Sequence, residues 1–439
     1  MNDFEQKYRQ IEAENRRLKK AVGELSILNE LALAISGSLD SEKIVRAIIS
    51  RSIRAVDAEQ GDITMVVEDR ENPARTLVRS MISSGIHSPL HLNQNLLGWM
   101  LINKKPLLIN EPGSDKRFRN VKWDESVRSL LCAPLMAKSK LIGILTVYNK
   151  KGDALFDESD QRLLSIIAAQ SAQVVENARL YQEEQAYQET RREMEVASGI
   201  QKKMLPSTPP DMDGYALDGR NLTAQSVGGD YFDYLPLDDG QWMICLGDIS
   251  GKGLSAALLM SNLQAILRGQ MLHVNAPSEI LRNANIQLYH STHAEKFATL
   301  FLGIIDTRTH TLHYSSAGHD YPFLISRDGS VRRLEANGLP LGMFQVSEYE
   351  DDSTVLQPGD SLFVYSDGIT ESMNPAEEEF GEVNLEKELV SAGTDRCMPE
   401  KLIDRIFSAC FAHSGNQPLS DDMTALVLAR NPKQQRRPP

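Results

Sequence analysis

Hydrophobic positions along the chain change their period several times, and each change marks a part of the molecule. Near the start, Phe4, Tyr8, Ile11, Asn15, Leu18, Val22 and Leu25 follow one another at alternating intervals of four and three. This places Phe4, Ile11, Leu18 and Leu25 at heptad position d and Tyr8, Asn15 and Val22 at a. The spacing predicts a coiled-coil helix over residues 1–36 and, through it, a parallel homodimer. Asn15, with Asn29 following in the same register, is the kind of polar a-position residue that fixes register and strand number at a cost in stability. A single amphipathic helix lying on its own domain would show the same stripe.

From residue 37 the pattern becomes that of an α+β unit. A helix, SEKIVRAIISRSIRAV, precedes the strands GDITMVVE, TLVRSMI, LLCAPLMA and KLIGILTVYN. A long helix beginning near Asp157 closes this unit at about residue 180 and runs on through a polar stretch to Pro206, Pro209 and Pro210, which stop it. Residues 181–212 then form a helical linker. Tyr181, Gln185, Gln188, Arg192 and Glu195 keep the four-and-three spacing, but only Tyr181 is a good core residue, so the seam should pack marginally. In SGIQKKMLP the apolar Ile200, Met204 and Leu205 are the expected anchors on the next domain, with Gly199 weakening the helix ahead of them.

Beyond residue 212 the period shortens to two. QWMICLGD, ATLFLGIID, TLHYSSAG, YPFLI, VRRL, SLFVYSDG and MTALVLA read as strands joined by short turns, which suggests antiparallel sheets. Two helices interrupt them, GLSAALLMSNLQAILRGQML, with a stripe of Leu254, Ala257, Leu258, Leu263, Ile266 and Leu267, and SEILRNANIQLYH. Strands stacked with helices outside give a layered α-β-β-α sandwich over residues 213–430. The fold class is therefore α+β multidomain: an α/β sensor unit (37–180), a helical linker and a sandwich, followed by a short disordered tail (431–439).

Composition narrows the chemistry. A net charge of −13 over 439 residues argues against a nucleic-acid partner, which needs clustered Lys and Arg. No stretch approaches the roughly 18 consecutive apolar residues of a membrane span, and MNDFEQKYRQ lacks the order of a secretory signal, so a cytoplasmic protein with no membrane role is expected. Cys132, Cys245, Cys397 and Cys410 are scattered without zinc or disulfide spacing and read as small buried hydrophobes.

One local context recurs: a carboxylate at the end or edge of an apolar strand beside Gly or another small residue. It occurs at Asp230 in VGGDYFDY, Asp248 in ICLGDISGKG, Asp367 in FVYSDGITE, and Asp421 with Asp422 in LSDDMTALVL. Carboxylates gathered at strand ends repel one another unless cations intervene, and hard divalent ions such as Mg2+ or Mn2+ prefer oxygen ligands. Two such ions can activate a water and clamp the phosphate it attacks, with no Cys, Ser or His nucleophile.

Two family resemblances rest on these residues. Residues 40–180 resemble a GAF domain through GWMLINKKPLLINEPGSDKRF, LIGILTVYNK and the closing helix. Asn149, Lys150, Phe156 and Asp160 fall near that family's NKxnFx3DE pattern, but Gln161 replaces its final Glu; the run reads as a structural turn with a Lys150 to Asp160 ion pair. The resemblance implies a sensory pocket for an unspecified small molecule. Residues 213–430 resemble the stage II sporulation protein E-type branch of the metal-dependent protein phosphatase (PPM) family through VGGDYFDYLPLDDG, GDISGKGLSAALLMSNLQAILR, SSAGHDYPFLI, GLPLGMF, LQPGDSLFVYSDGITESMN and SDDMTALVL. That resemblance implies a protein serine/threonine phosphatase with two Mn2+ or Mg2+ ions. Asp230 would bind one ion, Asp248 would bridge both, the Ile249 carbonyl would complete the first site, and Asp367 with Asp421 would hold the second. Asp422 takes the position after the ligand Asp421 and would support it. The implied substrate is a phosphorylated STAS-type anti-sigma-factor antagonist in a partner-switching pathway.

Rival readings are a catalytically silent phosphoprotein-binding sandwich and a diguanylate cyclase. Against the cyclase, Tyr231 replaces the acidic residue of GGDEF and Asp248, Asp367 and Asp421 would go unexplained. GDISGKG is not a phosphate loop, because three residues separate Gly247 from Gly251 and Gly253 follows Lys252. His319 in AGHDYP reads as a packed structural residue, with proton donation to the leaving oxygen as the alternative.

Overall fold

A computed structural model describes residues 7–8, 11–12, 14–15, 41–67, 75–82, 94–119, 121–152, 154–237, 240–270, 276–292, 296–395, 398–415 and 417–432. The described N-terminal residues are helical, with Tyr8, Ile11 and Asn15 exposed. Most of the predicted heptad seam, Cys397 and the basic tail lie outside the described residues. The chain divides into two compact units, residues 1–189 and 190–439.

The first unit contains α1 (Ser41–Ala55), β1 (Ala58–Val67), β2 (Arg75–Ile82), α2 (Gln94–Asn103), β3 (Leu107–Ile109), β4 (Leu130–Ala137), β5 (Lys140–Lys150) and the start of α3 (Glu158–Met204). The strands form one antiparallel sheet in the order β2-β1-β5-β4-β3. The central strand β5 is buried along nearly its whole length, which explains its unbroken apolar run. Ile44, Ile48, Ile49 and Ile53 of α1 and Leu164, Ile167, Ala168 and Val175 of α3 cover one face of the sheet. Leu96 and Met100 of α2, with Phe118, cover the other. The Lys150 to Asp160 ion pair is present. Asn149 is buried, its side chain accepting from Arg128 N (2.8 Å) and donating to Ser126 O (2.8 Å), so it braces a turn. The sequence reading missed α2 and β3.

The second unit contains β6 (Tyr215–Leu222), β7 (Tyr231–Pro236), β8 (Gln241–Ile249), α4 (Leu254–Gln270), α5 (Pro277–Ser291), β9 (Ala298–Asp306), β10 (Thr311–Ala317), β11 (Phe323–Ile325), β12 (Val331–Arg333), β13 (Asp352–Val355), β14 (Ser361–Tyr365), α6 (Gly381–Asp395), α7 (Pro399–Ser414) and β15 (Met423–Arg430). Two five-stranded sheets, β13-β10-β9-β8-β7 and β12-β11-β14-β15-β6, are antiparallel throughout. Alternate residues divide between two cores, as a period of two requires. Phe232, Leu246 and Phe301 meet Leu217, Val364 and Leu426 between the sheets, while Tyr231, Cys245 and Leu300 turn outward against α4 and α5. On the opposite outer face Phe363, Tyr365 and Val427 pack on α6 and α7. The layers are therefore α-β-β-α.

Two details correct the sequence reading. Helices α6 and α7 were not foreseen. The buried face of α4 runs through Ala256, Met260, Leu263 and Leu267, while Leu254 and Leu258 point to solvent, because apolar residues surround this helix and the stripe alone does not fix its rotation. The described cysteines Cys132, Cys245 and Cys410 are buried and unpaired. Among the described residues no helix is long and apolar enough to cross a membrane.

Candidate active site

Both sheets deliver carboxylates to one end of the sandwich, and strand register explains why. Tyr231 pairs with Gly247, so Asp230, one residue before β7, lies beside Asp248 near the end of β8. In the other sheet Tyr365 pairs with Ala425 and Ser366 N donates to Thr424 O (3.0 Å). Asp367, just past β14, therefore meets Asp421 and Asp422, just before β15. Hydrogen bonds join the two sheets at this point. Asp230 Oδ2 accepts from Ser366 Oγ (2.7 Å) and from Thr424 Oγ1.

The carboxylates fall into two environments. Asp230 and Asp422 are buried, whereas Asp248, Asp367 and Asp421 are partly open. Asp422 is saturated by backbone: Oδ1 accepts from Ala224 N (2.8 Å) and Oδ2 from Gly229 N (2.7 Å). The glycines of VGGD make this possible. A Cβ on Gly228 would lie 2.0 Å from Asp422 Oδ2, and one on Gly229 would lie 2.9 Å from the Ile249 carbonyl oxygen and 3.4 Å from Asp248 Oδ1. The Ile249 carbonyl thus stands against the loop that carries Asp230.

Crowding raises the carboxyl pKa values. Burial, then the Asp248 charge, holds Asp230 well above the usual carboxylate range, with the Thr424 and Ser366 hydroxyls opposing. Asp248 is pushed up to about 6 by burial and by Asp367. Asp367 is raised by burial and then by Asp421. One cation enters the cluster: Lys252 Nζ lies 2.9 Å from Asp421 Oδ2 and 2.5 Å from the Ser420 carbonyl it donates to, and the Asp421 contact raises its own pKa.

The sequence reading did not single out Asp320. Burial and the neighbouring Asp367 push it up to about 6, and its signal lay in AGHDYP, where His319 drew the attention. His319 itself is buried, its Nδ1 2.9 Å from Thr299 Oγ1. It backs β8, since Thr299 pairs with Asp248.

The donor set of carboxylates and a nearby main-chain carbonyl suits a hard divalent cation. Among the described residues no three His, Cys, Asp or Glu side chains stand as a ready-made cage, so the fit lies in the donor chemistry and its convergence.

Residues 238–431 match the profile of the stage II sporulation protein E (SpoIIE) family, and residues 38–176 match that of the GAF domain. The chain thus carries a SpoIIE-like region behind a GAF-like region. Protein IcfG of Synechocystis sp. is 28% identical over 268 residues, covering 55% of this chain and 42% of that protein. The phosphoserine phosphatase RsbU of Bacillus subtilis is 29% identical over 258 residues, 57% of this chain and 75% of RsbU. The phosphoserine phosphatase RsbP of the same organism is 26% identical over 184 residues, 41% of this chain and 45% of RsbP. The chain thus spans less than half the length of IcfG and RsbP. In the sandwich the sequence-predicted Asp230, Asp248, Asp367, Asp421 and Asp422 are all brought to one end, Asp230 lying ahead of the residues that match the SpoIIE profile. In the last turn of α3, Met204 packs on the α4 side of the sandwich as expected, but Ile200 is exposed and does not anchor.

Proposed function

We propose that this protein is a metal-dependent protein serine/threonine phosphatase that removes phosphate from a regulatory partner, a STAS-type anti-sigma-factor antagonist, under control of its GAF domain. The observation that carries the reading is the convergence of Asp230, Asp248, Asp367 and Asp421 from four strand ends of two facing sheets. In this reading Asp230 and the Ile249 carbonyl would hold one Mn2+ or Mg2+ ion, Asp367 with Asp421 would hold a second, and Asp248 would serve both. Such ions, when bound, would supply an activated water and charge to neutralise the phosphate. Asp422, with both oxygens committed to backbone N–H groups, braces the Asp230 loop. Ser366 and Thr424 orient Asp230 by donating to one of its oxygens, which leaves the other facing Asp248. The names of RsbU and RsbP support phosphoserine as the substrate class.

The remaining parts follow the sequence: a coiled coil over residues 1–36 that makes a homodimer, a sensor over 37–180 with its own small-molecule ligand, a signalling helix over 181–212 and the phosphatase over 213–430. The test is phosphate release from a phosphoserine form of such an antagonist. Release with Mn2+ that stops on chelation is the expected result. Tight binding of the phosphoprotein without release would mean a silent binding module instead, and cyclic-di-GMP formed from GTP would mean a cyclase.

A further inference from the structure

The last turn of α3 holds a residue that its surroundings make unusual. Among residues 190–204 Gln201 alone is buried, while Ile200, Lys202 and Lys203 beside it are exposed. A buried amide must find both a donor and an acceptor, and Gln201 finds them on one residue. Its Nε2 donates to the Gly228 carbonyl (2.7 Å) and its Oε1 accepts from the Gly228 N–H (3.1 Å). The side chain thus acts as a strand neighbour would, fixing the peptide planes on both sides of Gly228. Against the same stretch lies the Asp422 carboxylate, bonded to Gly229 N. The segment is gripped from two directions, two residues ahead of Asp230.

The end of α3 is also fastened to α4. Gln264 Nε2 donates to the Met204 carbonyl, and Ser261 Oγ contacts Met204 Sδ at 3.2 Å. Helix α4 starts five residues after Ile249, directly beyond the Asp248 turn. The last turn of one helix therefore touches the loop before Asp230 and the helix that follows Asp248.

We infer that Gln201 is a positioning residue for the metal-binding loop, its two bonds to Gly228 setting how well Asp230, two residues on, can hold a divalent ion. The inference rests on the metal-dependent reading above. Outer partners that orient ligands typically change metal affinity by about 10- to 100-fold when removed, and this partner is on the helix that leads in from the sensor.

The test uses the full chain with Gln201→Met, which keeps the volume and loses both bonds, and Gln201→Glu, which keeps the acceptor for Gly228 N–H and loses the donor. Mn2+ affinity by calorimetry and amide exchange at Gly228 and Gly229 without metal are measured for each. Weaker Mn2+ binding by about tenfold and faster exchange in Gln201→Met, with Gln201→Glu between it and the parent, are expected. If the parent binds Mn2+ and both variants match it in affinity and exchange, the inference is overturned. A parent that binds no Mn2+ overturns the metal-dependent reading itself, and the exchange rates then still report whether the grip exists.

Discussion

Each unit buries acidic residues in a sheet, and the contrast between them shows what distinguishes a site from a packed polar group. In the GAF domain Asp62 lies on β1 with no exposure, opposite Thr146, which in turn pairs with Cys132. Tyr148 donates to Asp62 (3.0 Å), and the Thr and Cys neighbours carry no charge; burial holds the Cys132 thiol up at about 12. In the sandwich Asp230, Asp248, Asp367, Asp421 and Asp422 converge from different strands, and three of them reach the solvent side. A single buried carboxylate can be met by hydrogen bonds. Several within one cluster repel by an amount that hydroxyls and N–H groups offset only in part. Convergence of acids, rather than burial of one, is therefore the mark of cation chemistry here.

The largest expected effect tests this directly. Asp248→Asn should abolish metal-dependent phosphate release, by more than the roughly hundredfold that an outer partner costs, since the bridging charge cannot be replaced by an amide. It should leave the metal-free fold as stable as before, because it also relieves repulsion. Asp422→Asn should behave the other way. Its new NH2 would face the N–H of Gly229 or Ala224, costing about 1–3 kcal/mol of stability, while turnover falls less than in Asp248→Asn. Equal loss of turnover in both variants, with folding intact, would refute the division of roles.

His319 separates wall from chemistry. Burial holds its pKa down to about 4, against a smaller upward pull from the Tyr365 backbone. Between the ordinary value near 6.5 and about 4 the unfolded chain takes up the proton first. Stability is then full above pH 6.5 and lost as pH falls through this window, by about 3 kcal/mol at most. Urea midpoints followed from pH 7.5 to 4 should show His319→Gln losing less stability than the parent. Identical pH profiles would mean that folding leaves the imidazole's pKa unshifted.

How far the sequence could be read depended on whether a residue's role was local. Asp230, Asp248, Asp367 and Asp421 were visible because each sits beside Gly or Ser at the edge of an apolar strand, and the end of α3 because three prolines follow it. Gln201 was not, since a Gln in a polar helical stretch gives no periodic signal and its partner is 27 residues away in a loop. Ile200 was misjudged for the same reason: with few apolar residues nearby, no stripe fixes which side of the last turn faces the sandwich. In α4 the opposite problem arose, an excess of apolar positions compatible with several rotations. The helices α6 and α7 do carry an apolar stripe at three-and-four spacing, Leu385, Leu389 and Ala392 in one and Leu402, Ile406 and Cys410 in the other, so their pattern was legible and went unread.

The smallest expected effect belongs to Asp62. Asp62→Asn keeps the volume and an oxygen that can still accept from Tyr148, so the change in stability should be about 1 kcal/mol or less. Tyr148→Phe removes the donor and leaves the carboxylate in place, so it should cost more, about 1–3 kcal/mol. Neither should alter the Mn2+ dependence of phosphate release, because both are buried inside the first unit and carry none of the proposed metal ligands. Thermal unfolding of the three proteins, with turnover measured at saturating Mn2+, decides the point. If Asp62→Asn lowered turnover as far as Asp248→Asn does, a lone buried acid would matter as much as a convergent set, and the comparison between the two sheets would have no meaning for function.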